Sequence, residues 1–226
     1  MATEIVTVAV PRIPRIHDPA PDFEATSAPG IIRLSDYTSK GKWILLFSHP
    51  ADFTPVCTTE FVEFARAIPS LRSATYNCWA TQWTASILTL WVRNIEEHFK
   101  LKVPFPVIAD LDQKIAVTYG MVHEAVSDTA AVRAVFFIDP KQNIRAILYY
   151  PMSCGRNIDE LLRVAEALQI ADESECATPA NWRPGDPVIA PAPVTQADAE
   201  KRAAGGDDLE VTDWFFSRRR LKSAPD

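Results

Sequence analysis

The sequence predicts an α/β sandwich built around a mostly buried mixed sheet that helices flank. From about residue 22 to 170, apolar runs of strand length alternate with segments of helical periodicity. Residues 42–49 are almost continuously apolar, as in a strand that is covered on both faces. The chain has 226 residues, 47% of them hydrophobic, which is enough to bury a sizeable core.

Three further strands are predicted, at residues 105–109, 133–138 and 144–150. The last two flank residues 139–143, Asp-Pro-Lys-Gln-Asn, whose composition is typical of a turn. We therefore expect these two strands to be antiparallel neighbours.

Helices are predicted where apolar residues recur at spacings of three and four. The first stripe consists of Phe61, Phe64, Ala65 and Ile68, and the second of Ile158, Leu161, Leu162, Ala165 and Leu168. Asn157 followed by Glu160 is a capping-box pattern for the second helix. Further helices are expected at 87–99 and at 113–119, the latter stopped by Gly120.

The C-terminal segment differs in composition. Its prolines are Pro179, Pro184, Pro187, Pro191 and Pro193. They leave no room for a long element before about Thr195, which favours an extended arm. We predict a domain at residues 10–172 and an arm at 173–226. So long an irregular segment usually has a function, and we expect the arm to take part in a homodimer or a ring of dimers.

Charge and composition exclude several classes of partner. A net charge of −6 gives no general electrostatic reason to bind nucleic acid or an anionic membrane. No secretory signal or membrane-spanning apolar run is visible, so a cytoplasmic protein is expected. The four cysteines show no Cys-x-x-Cys pair, and His17, His98 and His123 have no companions at metal-ligand spacing, so no metal, haem or flavin is predicted.

The chemistry-bearing stretch is residues 48–60, directly after the first buried strand. Thr54 and Pro55 are typical of an N-cap and a first helical position, which makes Cys57 the third helical residue. The free amides and the dipole of a helix N-terminus favour thiolate over thiol. A thiolate is the nucleophile that reduction of a peroxide requires.

The stretch resembles the active-site signature of the peroxiredoxins, which is proline, three residues, threonine, two residues and cysteine. Pro50, Thr54 and Cys57 have this spacing, and residues 58–60, Thr-Thr-Glu, continue the likeness. The likeness covers about residues 18–217. Segments that resemble the one-cysteine branch with a long C-terminus are 91–95, 104–110, 133–139 and 179–186.

The resemblance implies a thioredoxin-like core and a peroxidase that attacks hydrogen peroxide or organic hydroperoxides with Cys57 and cycles through a sulfenic acid. It also implies a hydroxyl contact from Thr54, shielding of the sulfur by Pro50, and a guanidinium from Arg133 beside the sulfur. A cationic neighbour favours the thiolate, so this implied role agrees with electrostatics.

The remaining site residues are predicted to bind substrate. Arg156 matches a second arginine of the family and His49 a pocket histidine, while Glu60 is expected to orient the arginines. Val56, next to the reactive cysteine, is included in the same pocket.

Two departures from the family pattern stand out. Residues 74–83 are polar and rich in tryptophan where relatives carry a smooth apolar strand, and a core role is expected for Trp79, Trp83 and Trp91. Ser217 stands where some relatives have a cysteine, which favours reduction of Cys57 by an external thiol.

Some alternatives stay open at this point. Cys154 or Cys176 could form a disulfide with Cys57, since sequence gives no distance between them. A disulfide oxidoreductase on the same fold is disfavoured by the lack of a Cys-x-x-Cys pair. A redox sensor or holdase whose assembly responds to oxidation of Cys57 is the rival outside enzymes.

Overall fold

A computed structural model of the chain describes residues 13–27, 30–68, 76–82, 85–127, 129–205 and 209–221, with the side chains of 76–89 outside the description. The chain divides into two compact units, Met1–Arg156 and Asn157–Asp226. The functional boundary predicted near residue 172 stays a prediction. Within the described residues, no helix is both long enough and apolar enough to cross a membrane.

The first unit contains a seven-stranded mixed sheet in the order β2-β1-β5-β4-β3-β6-β7. Its elements are β1 (Glu24–Ser27), β2 (Gly30–Arg33), α1 (Leu34–Thr38), β3 (Trp43–Ser48), α2 (Pro55–Ala67), β4 (Tyr76–Gln82), α3 (Ala85–Phe99), β5 (Val107–Ala109), α4 (Lys114–Thr118), β6 (Arg133–Ile138) and β7 (Ile144–Tyr150). Strand β3 pairs parallel with β4 and antiparallel with β6, so the predicted mixed sheet is confirmed.

Strands β3 and β6 form the centre of the core, and both are buried along their whole length. Phe47 of β3 stacks on Phe64 of α2 with ring centroids 4.3 Å apart, and it meets Phe61 edge to face at 6.0 Å. Each such fully buried ring contributes about 1.5–3 kcal/mol of transfer free energy. The apolar stripe predicted for α2 therefore packs on the strand that precedes it.

The predicted hairpin between β6 and β7 is confirmed, with Arg133 opposite Tyr150 at its open end. At the turn, the carboxylate of Asp139 accepts the backbone N–H groups of Lys141 and Asn143 at 2.9 and 2.8 Å. The aspartate thus satisfies donors that the turn would otherwise leave without partners, which is why this sequence closes a hairpin.

Strands β1 and β2 and helix α1 were not predicted, because they are four or five residues long and have little periodicity. The helix predicted at 113–119 is shorter, at Lys114–Thr118, because Gln113 adopts a left-handed conformation at its N-cap. Asp110 accepts the N–H groups of Ile115 and Ala116, and so it supplies the partners that the first turn of α4 needs.

The second unit contains α5 (Ile158–Ser174), β8 (Val188–Ile189), α6 (Gln196–Ala203), β9 (Leu209–Asp213) and β10 (Phe216–Arg219). The Asn157 side chain accepts the N–H of Glu160, which confirms the predicted N-cap of α5. Strands β8, β10 and β9 form a small antiparallel sheet. The segment expected to be an extended arm is therefore partly regular. Its strands were not predicted, because strands of two to five residues carry too little pattern to be recognised from sequence.

Candidate active site

The N-terminus of α2 has the predicted arrangement, with Thr54 at the N-cap, Pro55 following it, and Cys57 as the third helical residue. The Thr54 hydroxyl donates to the carbonyl of Ala51 at 2.8 Å. The carbonyl of Thr54 accepts both the backbone N–H and the hydroxyl of Thr58, at 3.0 and 2.9 Å. The Thr54 hydroxyl oxygen, which only donates in these contacts, can still accept a hydrogen bond at the start of α2.

The Cys57 sulfur lies 3.4 Å from Nη1 of Arg133, and the cysteine is fully buried. Arg133 is the first residue of β6, and its Nε and Nη2 donate to the carbonyl of Met152 at 3.0 and 2.8 Å. The guanidinium is thus held in one orientation, with a charged donor directed at the sulfur. Negative charge on the sulfur is stabilised by this contact and by the helix N-terminus.

Glu60 lies one turn after Cys57 on α2, and its buried carboxylate joins two arginines. Its Oε2 accepts from Arg133 at 2.6 Å and from Arg156 at 2.7 Å, and its Oε1 accepts the Arg156 Nε and backbone N–H, both at 2.9 Å. Burial alone would raise the pKa of Glu60, yet the charges and hydrogen bonds of Arg156 and Arg133 hold the pKa below its ordinary value. The group is therefore a carboxylate.

Arg156 links helix α2 to strands β3 and β6 through hydrogen bonds. Its Nη1 donates to the carbonyls of Ser48 on β3 and Ala134 on β6, at 2.9 and 3.1 Å. The guanidinium also lies over the rings of Phe47 and Phe64, with its carbon 5.0 and 5.5 Å from their centroids. These contacts support the orientation of Glu60, and the predicted contact of Arg156 with substrate stays a prediction.

His49 directly follows β3 and is buried. Its Nε2 lies 3.1 Å from Oδ1 of Asp52, and its ring packs against Phe61 and Trp91 with centroids 5.0 and 5.2 Å away. Burial lowers the pKa of His49, so the neutral imidazole is the favoured form. The Trp91 indole also donates to the hydroxyl of Thr58, the residue after Cys57, at 3.3 Å.

The other predicted pocket residues are close to Cys57 in the sequence. Pro50 and Val56 are half-buried, and a Cβ at Gly155 would come within 3.5 Å of the Val56 side chain. Phe53 is 54% exposed and has a positive φ of 53°, so the loop before α2 presents an aromatic ring to solvent.

Sequence reasoning missed two contributors to this site. Asp52 could have been noticed, because it is an acidic residue near His49 within the same motif. The carbonyl of Met152 has no sequence signal, because any residue supplies a carbonyl and only the fold places it.

Three cysteines with described side chains are free thiols, namely Cys57, Cys154 and Cys176. Cys154 is exposed and Cys176 is half-buried, whereas the Cys78 side chain lies outside the described part. Of the predicted tryptophan cluster, Trp91 is buried, and the side chains of Trp79 and Trp83 are likewise outside the description. Among the side chains that are described, no group of histidine, cysteine and acidic residues could hold a metal ion.

Two family models match the chain. The model of the AhpC/TSA family matches residues 16–147, and the model of the C-terminal domain of 1-Cys peroxiredoxin matches residues 167–206.

Relatives named as peroxiredoxins match along most of the chain. Peroxiredoxin 2 of Caldanaerobacter subterraneus subsp. tengcongensis is 45% identical over 225 residues, covering 98% of this chain and 100% of the relative. The peroxiredoxin of Aquifex aeolicus is 43% identical over 220 residues, covering 92% of this chain and 98% of the relative.

Two solved structures are similar along 92% of this chain and 99% of their own. A yeast mitochondrial 1-Cys peroxiredoxin has a TM-score of 0.79 and 36% identity, and a mutant of peroxiredoxin 6 from Arenicola marina has a TM-score of 0.79 and 29% identity. These likenesses confirm the thioredoxin-like fold with a C-terminal extension that the sequence predicted.

Proposed function

The chain belongs to the peroxiredoxin family of thiol peroxidases, and we propose that Cys57 carries its reaction by cycling through a sulfenic acid. The observation that supports this most is the 3.4 Å contact between the Cys57 sulfur and Arg133, whose guanidinium is fixed by Glu60 and by the carbonyl of Met152. The site combines a nucleophile at a helix N-terminus with a cationic donor held beside it.

In the first step, the Cys57 thiolate attacks the terminal oxygen of a hydroperoxide. An S–O bond forms as the O–O bond breaks, the sulfur is oxidised to a sulfenic acid, and the departing oxyanion takes a proton to become water or an alcohol. Arg133 is suited to stabilise the charge as it moves from sulfur to oxygen, and a donor fixed in advance is effective for this. The Thr54 hydroxyl can hold the peroxide at the same end of the helix.

In the second step, an external thiol reduces the sulfenic acid. The thiol sulfur forms a disulfide with Cys57 and water leaves, after which a second thiol releases the reduced cysteine and a new disulfide. Ser217, where some relatives have a cysteine, supports this cycle. The name of the similar yeast structure refers to thiol resolution through glutathione and thioredoxin systems, which makes both classes of thiol suitable candidates.

The remaining roles belong to the same proposal. Pro50 shields the sulfur from water, Val56 and His49 line the pocket, and Arg156 with Glu60 keeps Arg133 in place. Hydrogen peroxide and organic hydroperoxides are the proposed substrates. A homodimer or ring of dimers in the cytoplasm completes the proposal, with the arm at 173–226 contributing to assembly.

Peroxide consumption with dithiothreitol as the reductant tests the assignment. We expect turnover to be lost in Cys57→Ser and kept in a variant with serine at Cys78, Cys154 and Cys176. Undiminished turnover in Cys57→Ser would overturn it. Loss of turnover in the triple variant alone would instead place a resolving thiol within the chain.

The alternative of a redox sensor or holdase is not favoured, because the relatives that match 92% and 98% of the chain are named as peroxiredoxins. It predicts a change of oligomer size on oxidation with negligible turnover, so size-exclusion chromatography in parallel with the assay separates the two.

A further inference from the structure

We propose that Asp52 is a positioning residue that fixes the tautomer of His49, so that Nδ1 faces the site as a hydrogen-bond acceptor for the O–H of an incoming hydroperoxide. This inference rests on the proposed function, which places the reaction at Cys57. It adds a residue that the peroxidatic motif itself does not require.

The geometry of the pair is the first observation. Oδ1 of Asp52 lies 3.1 Å from Nε2 of His49, and the two side chains are 6% and 0% exposed. A carboxylate can only accept hydrogen bonds, so the hydrogen between the two groups belongs to Nε2 of the histidine. Burial lowers the pKa of His49 and favours the neutral ring, which leaves Nδ1 without a hydrogen.

The second observation is that both outer atoms of the pair are buried and have no protein partner. These atoms are Nδ1 of His49 and Oδ2 of Asp52. A buried polar atom without a partner is destabilising, so such atoms are rare and mark places where a small molecule can bind. Since both atoms are acceptors in this tautomer, the molecule that satisfies them must be a donor, as a hydroperoxide or a water is.

The third observation is the closeness of the pair to the reacting groups. The carbonyl of Ser48, the residue before His49, accepts a hydrogen bond from Arg156. The His49 ring packs on Phe61, the residue after Glu60. The charged groups that act on His49 are Asp52, Arg156 and Glu60. His49 therefore lies beside the same arginine and carboxylate network that holds Arg133 against the sulfur.

Nitrogen-15 NMR of the imidazole in the reduced full-length chain gives the most direct test. We expect the native protein to show His49 with hydrogen on Nε2 at pH 7, and Asp52→Asn to show a mixture of tautomers. A native protein with hydrogen on Nδ1 would overturn the proposal whether or not the variant folds. Asp112→Asn, which removes an exposed carboxylate paired with Lys114, is the matched control.

Kinetics supply the second test. Asp52→Asn should slow sulfur oxidation by at least about tenfold, as loss of an oriented hydrogen-bonding group does. Because the Asp52 charge raises the pKa of His49 against the effect of burial, the acid limb of the pH profile should also move to lower pH. A merely structural role of Asp52 predicts a lower rate with an unmoved acid limb, which contradicts the proposal.

A double-mutant cycle separates this inference from the proposed function. In a His49→Gln background, Asp52→Asn should cause no further loss of rate, because its effect passes through the imidazole. Full additivity of the two losses would refute the positioning role. Failure of the proposed function would appear differently, as activity that persists in Cys57→Ser, and the NMR result does not depend on Cys57.

Discussion

Cys57 is fully buried and Cys176 is half-buried, and their sulfurs have opposite roles in hydrogen bonding. The sulfur of Cys57 accepts from Arg133 at 3.4 Å, whereas the thiol of Cys176 donates to the carbonyl of Ile170 at 3.6 Å. Burial raises the pKa of Cys176, although the charge of Arg219 acts in the other direction. Burial by itself therefore keeps a thiol protonated, and a fixed cation beside the sulfur is what makes the first environment suited to chemistry.

The two arginines explain the difference. Arg219 donates to the carbonyl of Ser174, a neutral acceptor. Arg133 is held by the carboxylate of Glu60 as well as by a carbonyl, so its direction toward Cys57 is set by a charged partner. The environment of Cys57 therefore depends on the group that holds the arginine as much as on the arginine itself.

The largest effect is expected from Glu60→Gln, because Glu60 is the charged group that fixes Arg133 beside Cys57. Removing the carboxylate leaves two buried guanidinium groups without their counter-charge, and losing one partner of a buried pair costs about 3–5 kcal/mol. Urea unfolding measures the change. Glu63→Gln on the same helix, which removes an exposed partner of Arg66, is the control and should cost less than about 1 kcal/mol. Equal losses in the two variants would show that Glu60 has no special structural role.

Arg133→Lys should be next in size. Lysine keeps the charge but loses the planar fork that reaches Cys57, Glu60 and the Met152 carbonyl together, so sulfur oxidation should slow by roughly 100-fold. Stopped-flow measurement with hydrogen peroxide gives the rate constant. Arg219→Lys makes the same exchange near Cys176 and should change the rate less than about twofold. A normal rate in Arg133→Lys would mean that charge alone suffices.

A smaller contrast is expected between the two thiols themselves. During exposure to limiting peroxide at pH 7, Cys57 should gain oxygen at least about tenfold faster than Cys176, because the thiolate is the species that reacts. Peptide mass mapping over time measures both sites in one sample. Comparable oxidation rates at the two cysteines would show that the environment of Cys57 does not make its sulfur more reactive.

The smallest predicted effect is an acid sensitivity that originates around Cys57. An unfolded histidine binds a proton below about pH 6.5, whereas buried His49 stays neutral to lower pH. The free energy of unfolding should therefore begin to fall as the pH is lowered below about 6.5. Glu60, whose folded pKa is lowered, adds stability above its unfolded pKa that is lost as the pH falls through the folded value. Each step should be on the order of 1 kcal/mol. Urea unfolding across this range checks the result, and His49→Gln should remove only the first step.

The sequence was informative where local chemistry decides the structure. The apolar run of β3, the Asp139 turn and the Thr54-Pro55 start of α2 each have a local physical cause, and each was predicted. The short strands β1 and β2 were missed because pairing with neighbours, and not their own pattern, makes them strands.

In the site, partners were named only through the family resemblance, which implied that Arg133 lies beside the sulfur and that Glu60 orients the arginines. The residues by themselves indicated no such pairs. That Glu60 joins two arginines depends on Arg156 returning to α2 from 96 residues away, which only the fold determines. The same holds for the indole of Trp91, which reaches Thr58 across 33 residues of sequence.

The bridging position of Glu60 determines the charge balance of the site in each step of the proposed cycle. A Cys57 thiolate and the Glu60 carboxylate carry two negative charges, and Arg133 and Arg156 carry two positive charges, so the reduced cluster is neutral. Oxidation to an uncharged sulfenic acid leaves one buried positive charge without a counterpart. We expect the oxidised enzyme, and not the reduced one, to attract the anionic thiolate of its reductant, so that added salt slows the reductive step more than the oxidative step.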